Sequence, residues 1–215
     1  TTVFKTFEES MPTDAIIASN TSSISITRLA SHLQHPNRFI GMHFFNPVNK
    51  MPLVEIIPGE LTDEKTIATV VKLAKNLGKT PIKIKDSAGF LVNRILLPYL
   101  QEATFIFEDG GSIKQIDKVL LDFGMPMGAF TLIDTVGVDI GASVSQILHD
   151  AYGNRMAPSS LMDKMVSQKL LGMKTKKGFY DYTNKLTCVN QEVLSLQTKN
   201  STFKKELILE RTLLI

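Results

Sequence analysis

Two apolar runs broken by prolines dominate the hydropathy pattern of this chain. They are residues 39–45 (FIGMHFF) and 53–57 (LVEII), with Asn46-Pro47 and Met51-Pro52 between them. Short apolar runs bounded by turn residues predict buried strands. Upstream, Val3, Phe4 and Phe7 stand at helical spacing within residues 2–10, and residues 15–18 (AIIA) predict a short buried strand. A helix is expected over 26–33, ended by Pro36-Asn37. Downstream, Pro58-Gly59 marks a turn and Thr62-Asp63-Glu64 a helix start. Ile67, Val70, Val71, Leu73 and Leu77 give that helix an apolar face, with Gly78 as its C-cap. Residues 81–85 (PIKIK) alternate as a strand with one wet face. Strand and helix in alternation is the signature of α/β architecture.

At Asp86 the pattern changes. Residues 90–107 predict one long apolar helix, kinked at Pro98 and ended by Gly110-Gly111. Further helices are expected over 112–121, capped by Ser112, over 131–152, and over 159–170. Residues 124–128 read as a turn, and no strand is expected between 86 and 172. The chain is therefore read as α/β plus all-α, dividing near 85–88. Residues 172–182 (GMKTKKGFYDY) form a basic loop ending in aromatics. A solvated turn that anchors Phe179 and Tyr180 on the core is favoured there over a lysine cluster that meets phosphates. Residues 184–201 are polar and weakly patterned, which reads as a linker, and an amphipathic helix begins over 203–215.

Composition narrows the function classes. The chain is 43% hydrophobic and 21% charged, ordinary values for a globular protein. A net charge of +3, with lysines dispersed and aromatics not interleaved with basic runs, argues against nucleic-acid binding. Cys188 is the only cysteine, so there is no disulfide framework and a reducing compartment is expected. No apolar run approaches bilayer-spanning length, and no signal peptide is expected. The chain opens on Thr1-Thr2 and ends on Leu213-Leu214-Ile215, and it is read as an internal piece of a longer protein.

The candidate chemistry lies in the two dominant runs. His43 sits inside the first and Glu55 inside the second. Burying an unpaired base or carboxylate is costly, so the two are expected to pair. Glu55 would accept the proton of one imidazole nitrogen and leave the other nitrogen as a base. A second cluster, residues 19–23 (SNTSS), follows the strand at 15–18. The end of such a strand is where open α/β sheets present ligand-contacting groups. Ser and Thr there serve equally as the N-cap of the next helix.

These motifs, in this order, resemble the L-3-hydroxyacyl-CoA dehydrogenases. The resemblance is carried by residues 18–23 (ASNTSS), 41–47 (GMHFFNP), 53–56 (LVEI), 85–94 (KDSAGFLVNR), 124–128 (GMPMG) and 177–182 (KGFYDY). It covers residues 1–183 and is closest to the dehydrogenase part of the multifunctional fatty-acid oxidation complex. It implies three pieces: residues 1–85 as the C-terminal half of a Rossmann-type NAD-binding domain, 86–183 as a helical substrate and dimerisation domain, and 184–215 as a linker and the start of a second helical repeat. No glycine-rich GxGxxG loop occurs in the sequence. The cofactor site is therefore expected to be half built, and the isolated chain inactive.

The resemblance further implies the roles. His43 is the general base for the substrate 3-hydroxyl, and Glu55 orients it. Ser22 contacts both substrate and nicotinamide, and Asn93 contacts the substrate oxygens. Asn46 and Lys174 match positions that contact the cofactor. NAD is the implied cofactor, acyl-CoA the substrate, and no metal site is assigned. The reaction is oxidation of L-3-hydroxyacyl-CoA to 3-ketoacyl-CoA in fatty-acid β-oxidation, with the acyl thioester between the two pieces. Expected partners are a second copy or a multienzyme complex with a thiolase subunit. The compartment is the cytoplasm of a bacterium or an organelle matrix in a eukaryote. Two other readings are a non-catalytic assembly module and a related hydroxy-acid or sugar-acid dehydrogenase. The intact set of His43, Glu55, Ser22 and Asn93 argues against the first. The spacing of His43 and Glu55 argues against the second.

Overall fold

A computed structural model describes residues 2–213 of the chain. It divides into two compact units, the second beginning at Ile95.

The first unit holds a four-stranded sheet of β1 (Ile17–Ser19), β2 (Phe39–Phe44), β3 (Leu53–Pro58) and β4 (Thr80–Lys83), in that spatial order. The β1–β2 and β3–β4 pairs are parallel, and β2–β3 is antiparallel. Helices α1 (Thr2–Ser10), α2 (Ile26–Ala30) and α3 (Glu64–Asn76) accompany it. Successive strand residues point to opposite faces. On one face Ile40, Met42, Val54 and Ile56 pack on Ile67, Val70 and Ala74 of α3. On the other, Phe39 and Ile57 pack with Ile26 and Ala30 of α2 and with Phe90. Both faces are covered, which is why the central strands read as nearly continuous apolar runs. Gly41 makes room for α2, since a Cβ there would stand 2.8 Å from the Ile26 side chain.

Asp63 caps α3 by accepting from Thr66 N at 2.7 Å, as the Thr-Asp-Glu start predicts. Helix α2 is shorter than the expected 26–33, ending at Ala30 with Ser31 as its C-cap.

The second unit contains most of α4 (Val92–Glu108), then α5 (Ile113–Phe123), α6 (Ala129–Val136), α7 (Val138–Tyr152) and α8 (Leu161–Ser167). Helix α4 runs as one element through Pro98. The helix expected over 131–152 is two helices. Gly137, at φ +109°, ends α6 and begins α7, a backbone conformation that side chains resist. The core gathers on Phe107, Phe130 and Phe179, with ring centroids 4.5 to 6.1 Å apart.

The basic loop folds back on that core, as the favoured reading of residues 172–182 has it. Asp134 accepts from Phe179 N, Tyr180 N and the Tyr182 hydroxyl at 2.9 to 3.0 Å. Asp117 accepts from Phe130 N, Thr131 N, the Thr131 hydroxyl and the Tyr180 hydroxyl. Burial pushes the Asp134 carboxyl up to about 6, against the lowering effect of its hydrogen bonds.

The linker expected over 184–201 does not hold. This stretch contains β6 (Cys188–Val189), paired with β5 (Tyr180–Asp181), and α9 (Gln191–Leu194). Val193 is fully buried, and Gln197 Nε2 donates to the carbonyls of Phe107 and Gly111. Gln197 and Thr198 hydrogen-bond the end of α4, while residues 183–188 and 198–201 stay exposed. Helix α10 (Lys205–Leu213) follows, tied to α4 by Arg211 and Glu102. The final two residues of the helix expected over 203–215 lie outside the described residues.

Candidate active site

The strand register brings the two predicted titratable residues together. His43 on β2 and Glu55 on β3 are direct cross-strand partners. Both fall on the sheet face that carries Phe39, Ile57 and Phe90, following the two-residue strand period. The His43 Nδ1 to Glu55 Oε2 distance is 2.7 Å, with 7% of His43 and none of Glu55 exposed. The rings of Phe45 and Phe90 lie near the imidazole, at centroid distances of 4.7 and 5.9 Å.

Glu55 is held from its other side as well. Its Oε1 accepts from Leu91 N at 3.1 Å and Val92 N at 3.0 Å. These are amides at the N-terminal end of α4, where unpaired N–H groups and the helix dipole favour an anion. Two backbone N–H groups can only donate, so Oε1 acts as acceptor, the geometry of a carboxylate. With Glu55 ionised, Oε2 can only accept, and Nδ1 of His43 is then the donor to it. Nε2 makes no hydrogen bond among the described residues and is the nitrogen available to take a proton.

Two further predicted residues, Ser22 and Asn93, also meet. Asn93 Nδ2 donates to the Ser22 carbonyl oxygen at 3.1 Å. The Ser22 hydroxyl makes no hydrogen bond among the described residues. The loop carrying Ser22 leaves the C-terminal end of β1, beside the end of β2 where His43 sits. Asn20 joins the two, its Oδ1 accepting from Phe44 N at 2.9 Å.

One segment knits both pairs together. Asp86 accepts from the Ser25 hydroxyl and from the amides of Ile26 and Thr27, which fastens the segment to α2. Leu91 and Val92 bind Glu55, and Asn93 binds Ser22. These bonds hold residues 86–94 against the sheet, and the compact units divide after Arg94, a few residues beyond the expected 85–88.

Asn46 is exposed on the turn that follows β2. Lys79 Nζ donates to the carbonyls of Val48 and Met51 in that same turn. Lys174 lies in the second unit, on a short helical turn, and forms an ion pair with Asp139. This pairing holds the Asp139 carboxyl below its usual range. Sequence reasoning missed Phe90, Asn20, Asp86 and Lys79. The last three act through backbone groups of other segments. Phe90 acts through a backbone angle that an aromatic side chain does not announce.

The chain matches two family models in succession: the NAD binding domain of 3-hydroxyacyl-CoA dehydrogenase over residues 1–87 and its C-terminal domain over residues 89–182. It is 49% identical over 183 residues to the fatty acid oxidation complex subunit alpha of Vibrio campbellii, covering 85% of this chain and 26% of that protein. The chain thus spans about a quarter of the length of the curated relatives it matches. Among solved structures it is similar to (S)-3-hydroxybutyryl-CoA dehydrogenase from Ralstonia eutropha. There the TM-score is 0.81 at 43% identity, covering 85% of this chain and 66% of that one. It is also similar to the dehydrogenase part of a multifunctional enzyme from C. elegans, with TM-score 0.64 and 29% identity over 98% of this chain and 50% of that one. Fold, paired base and carboxylate, and sequence agree: the chain belongs to the 3-hydroxyacyl-CoA dehydrogenase family. Among its relatives, those named as α subunits of the fatty acid oxidation complex reach 49–50% identity.

Proposed function

We propose that this chain carries the proton-accepting half of an NAD-dependent dehydrogenase that oxidises L-3-hydroxyacyl-CoA to 3-ketoacyl-CoA in fatty-acid β-oxidation. The observation that carries the reading is the buried His43–Glu55 pair with Nε2 left unbonded. Nε2 takes the proton of the substrate 3-hydroxyl. The imidazolium that forms faces the Glu55 carboxylate, and α4 holds that carboxylate in place. The hydrophobic flank of Phe45 and Phe90 keeps water from the imidazole faces, which strengthens the attraction. Asn93 is fixed by Ser22 at the start of α4 and contacts the substrate oxygens.

The residues present fit the nicotinamide end of NAD: the Ser22 hydroxyl has no protein partner among the described residues, and Asn46 is exposed on the adjoining strand end. NAD, when bound, would supply the acceptor for the hydride that leaves C3 of the substrate. Membership of a multienzyme complex is supported by relatives named as complex subunits, and a thiolase partner and pairing of two copies belong to the same proposal.

The test is an assay of the protein, at its natural length, with NADH and acetoacetyl-CoA, following loss of the reduced nicotinamide absorbance. The expected result is oxidation that requires the thioester. Equal activity on free 3-keto acids or sugar acids would replace the substrate class. Binding without turnover would make the chain an assembly module.

A further inference from the structure

Phe90 stands in a left-handed backbone conformation, φ +51°, directly after Gly89 at φ +70°. A bulky residue at positive φ is a strained outlier unless its surroundings impose it. The surroundings here do. The Phe90 ring is 2% exposed and packs with Ile26, Phe39 and Ile57. It also faces the His43 imidazole at a centroid distance of 5.9 Å. The next two amides, Leu91 N and Val92 N, are the donors to Glu55 Oε1.

We infer that Phe90 is a positioning residue for the His43–Glu55 pair. Its ring, locked in the core, forces the left-handed corner, and that corner aims the two amides at Glu55. Glycine would reach the same φ without strain but would leave the corner free to relax. An aromatic at this position fixes the corner and covers one face of the imidazole. One side chain thereby sets both the carboxylate and the base. The inference rests on the pairing of His43 with Glu55 proposed above.

The readout is the tautomer of His43 in the histidine-labelled chain by nitrogen-15 NMR, which needs no turnover. The chain has four histidines, and His32, His35 and His149 serve as internal controls. In the natural sequence His43 is expected as the Nδ1–H tautomer with a protected proton. In Phe90→Ala the Nε2–H tautomer appears and the Nδ1 proton exchanges about tenfold faster, the fold-change expected on losing one net hydrogen bond. The three control histidines stay unchanged. Phe90→Leu keeps the bulk and guards against a variant that does not fold. It is expected to fold and to show the same loss to a smaller degree. A fixed Nδ1–H tautomer with undiminished protection in every folded variant would overturn the role of Phe90. A mixed tautomer already in the natural sequence would instead overturn the His43–Glu55 pairing.

Discussion

His43 and Glu55 face each other across two antiparallel strands, with Nδ1 and Oε2 2.7 Å apart in an interior that exposes none of the Glu55 side chain. The strand register fixes this pair, and the amides of Leu91 and Val92 occupy the remaining carboxylate oxygen. Replacing Glu55 by Gln removes the charge that favours the imidazolium. The pH–rate profile is expected to shift, with kcat reduced. The variant also leaves buried donors poorly matched, at a cost of about 1–3 kcal/mol of stability. A pH–rate series beside a denaturant titration checks both. An unmoved profile would make Glu55 structural only.

Gly41 is expected to tolerate no side chain. A Cβ would meet Ile26 at 2.8 Å and Ile57 at 2.9 Å, both in the packed layer between β2 and α2. Gly41→Ala should destabilise the first unit by about 1–3 kcal/mol, the usual range for overpacking. Equilibrium unfolding measures it, and a loss below about 0.5 kcal/mol, the ordinary surface range, would show that α2 yields easily.

Asp134 makes the stability of the second unit pH-dependent in a stated direction. Its carboxyl is pushed by burial from 3.8 up to about 6, so the folded chain holds this proton more tightly than the unfolded chain. The contribution is fully present below pH 3.8 and is lost as pH rises toward about 6. Relative to Asp134→Asn, the natural sequence should lose up to about 1.4 kcal/mol of its stability advantage per pH unit across that window, and nothing further above it. Urea titrations of both proteins at several pH values check this. A difference independent of pH would contradict it.

Lys79 ties down the turn that carries Asn46 through the carbonyls of Val48 and Met51. Lys79→Met should free the turn and weaken NADH binding severalfold. Unchanged binding in a fluorescence titration would separate this turn from the cofactor.

The fold was legible where a single physical pressure acted. The division into an α/β part and a helical part followed from periodicity alone. His43 and Glu55 were legible because a base and a carboxylate inside two adjoining apolar strands have one inexpensive arrangement. Other features depend on backbone geometry that side-chain chemistry does not record. Gly137 splits one long helical pattern into two helices through its positive φ. The polar stretch beyond Asn184 packs by hydrogen bonds to carbonyls at the end of α4, so its lack of apolar pattern was misread as a linker. The link between Asn93 and Ser22 runs through a main-chain oxygen, which residue types do not reveal; the family resemblance pointed to each residue but not to their contact.

The central claim is that His43 accepts the substrate proton. The most direct measurement is the rate of hydride transfer from NADH to acetoacetyl-CoA, compared between the protein at its natural length and its His43→Gln variant. The account predicts a fall of about 10²–10⁴-fold, the range for removing a general acid–base group, with NADH affinity nearly unchanged. A variant that turns over at the natural rate would contradict it.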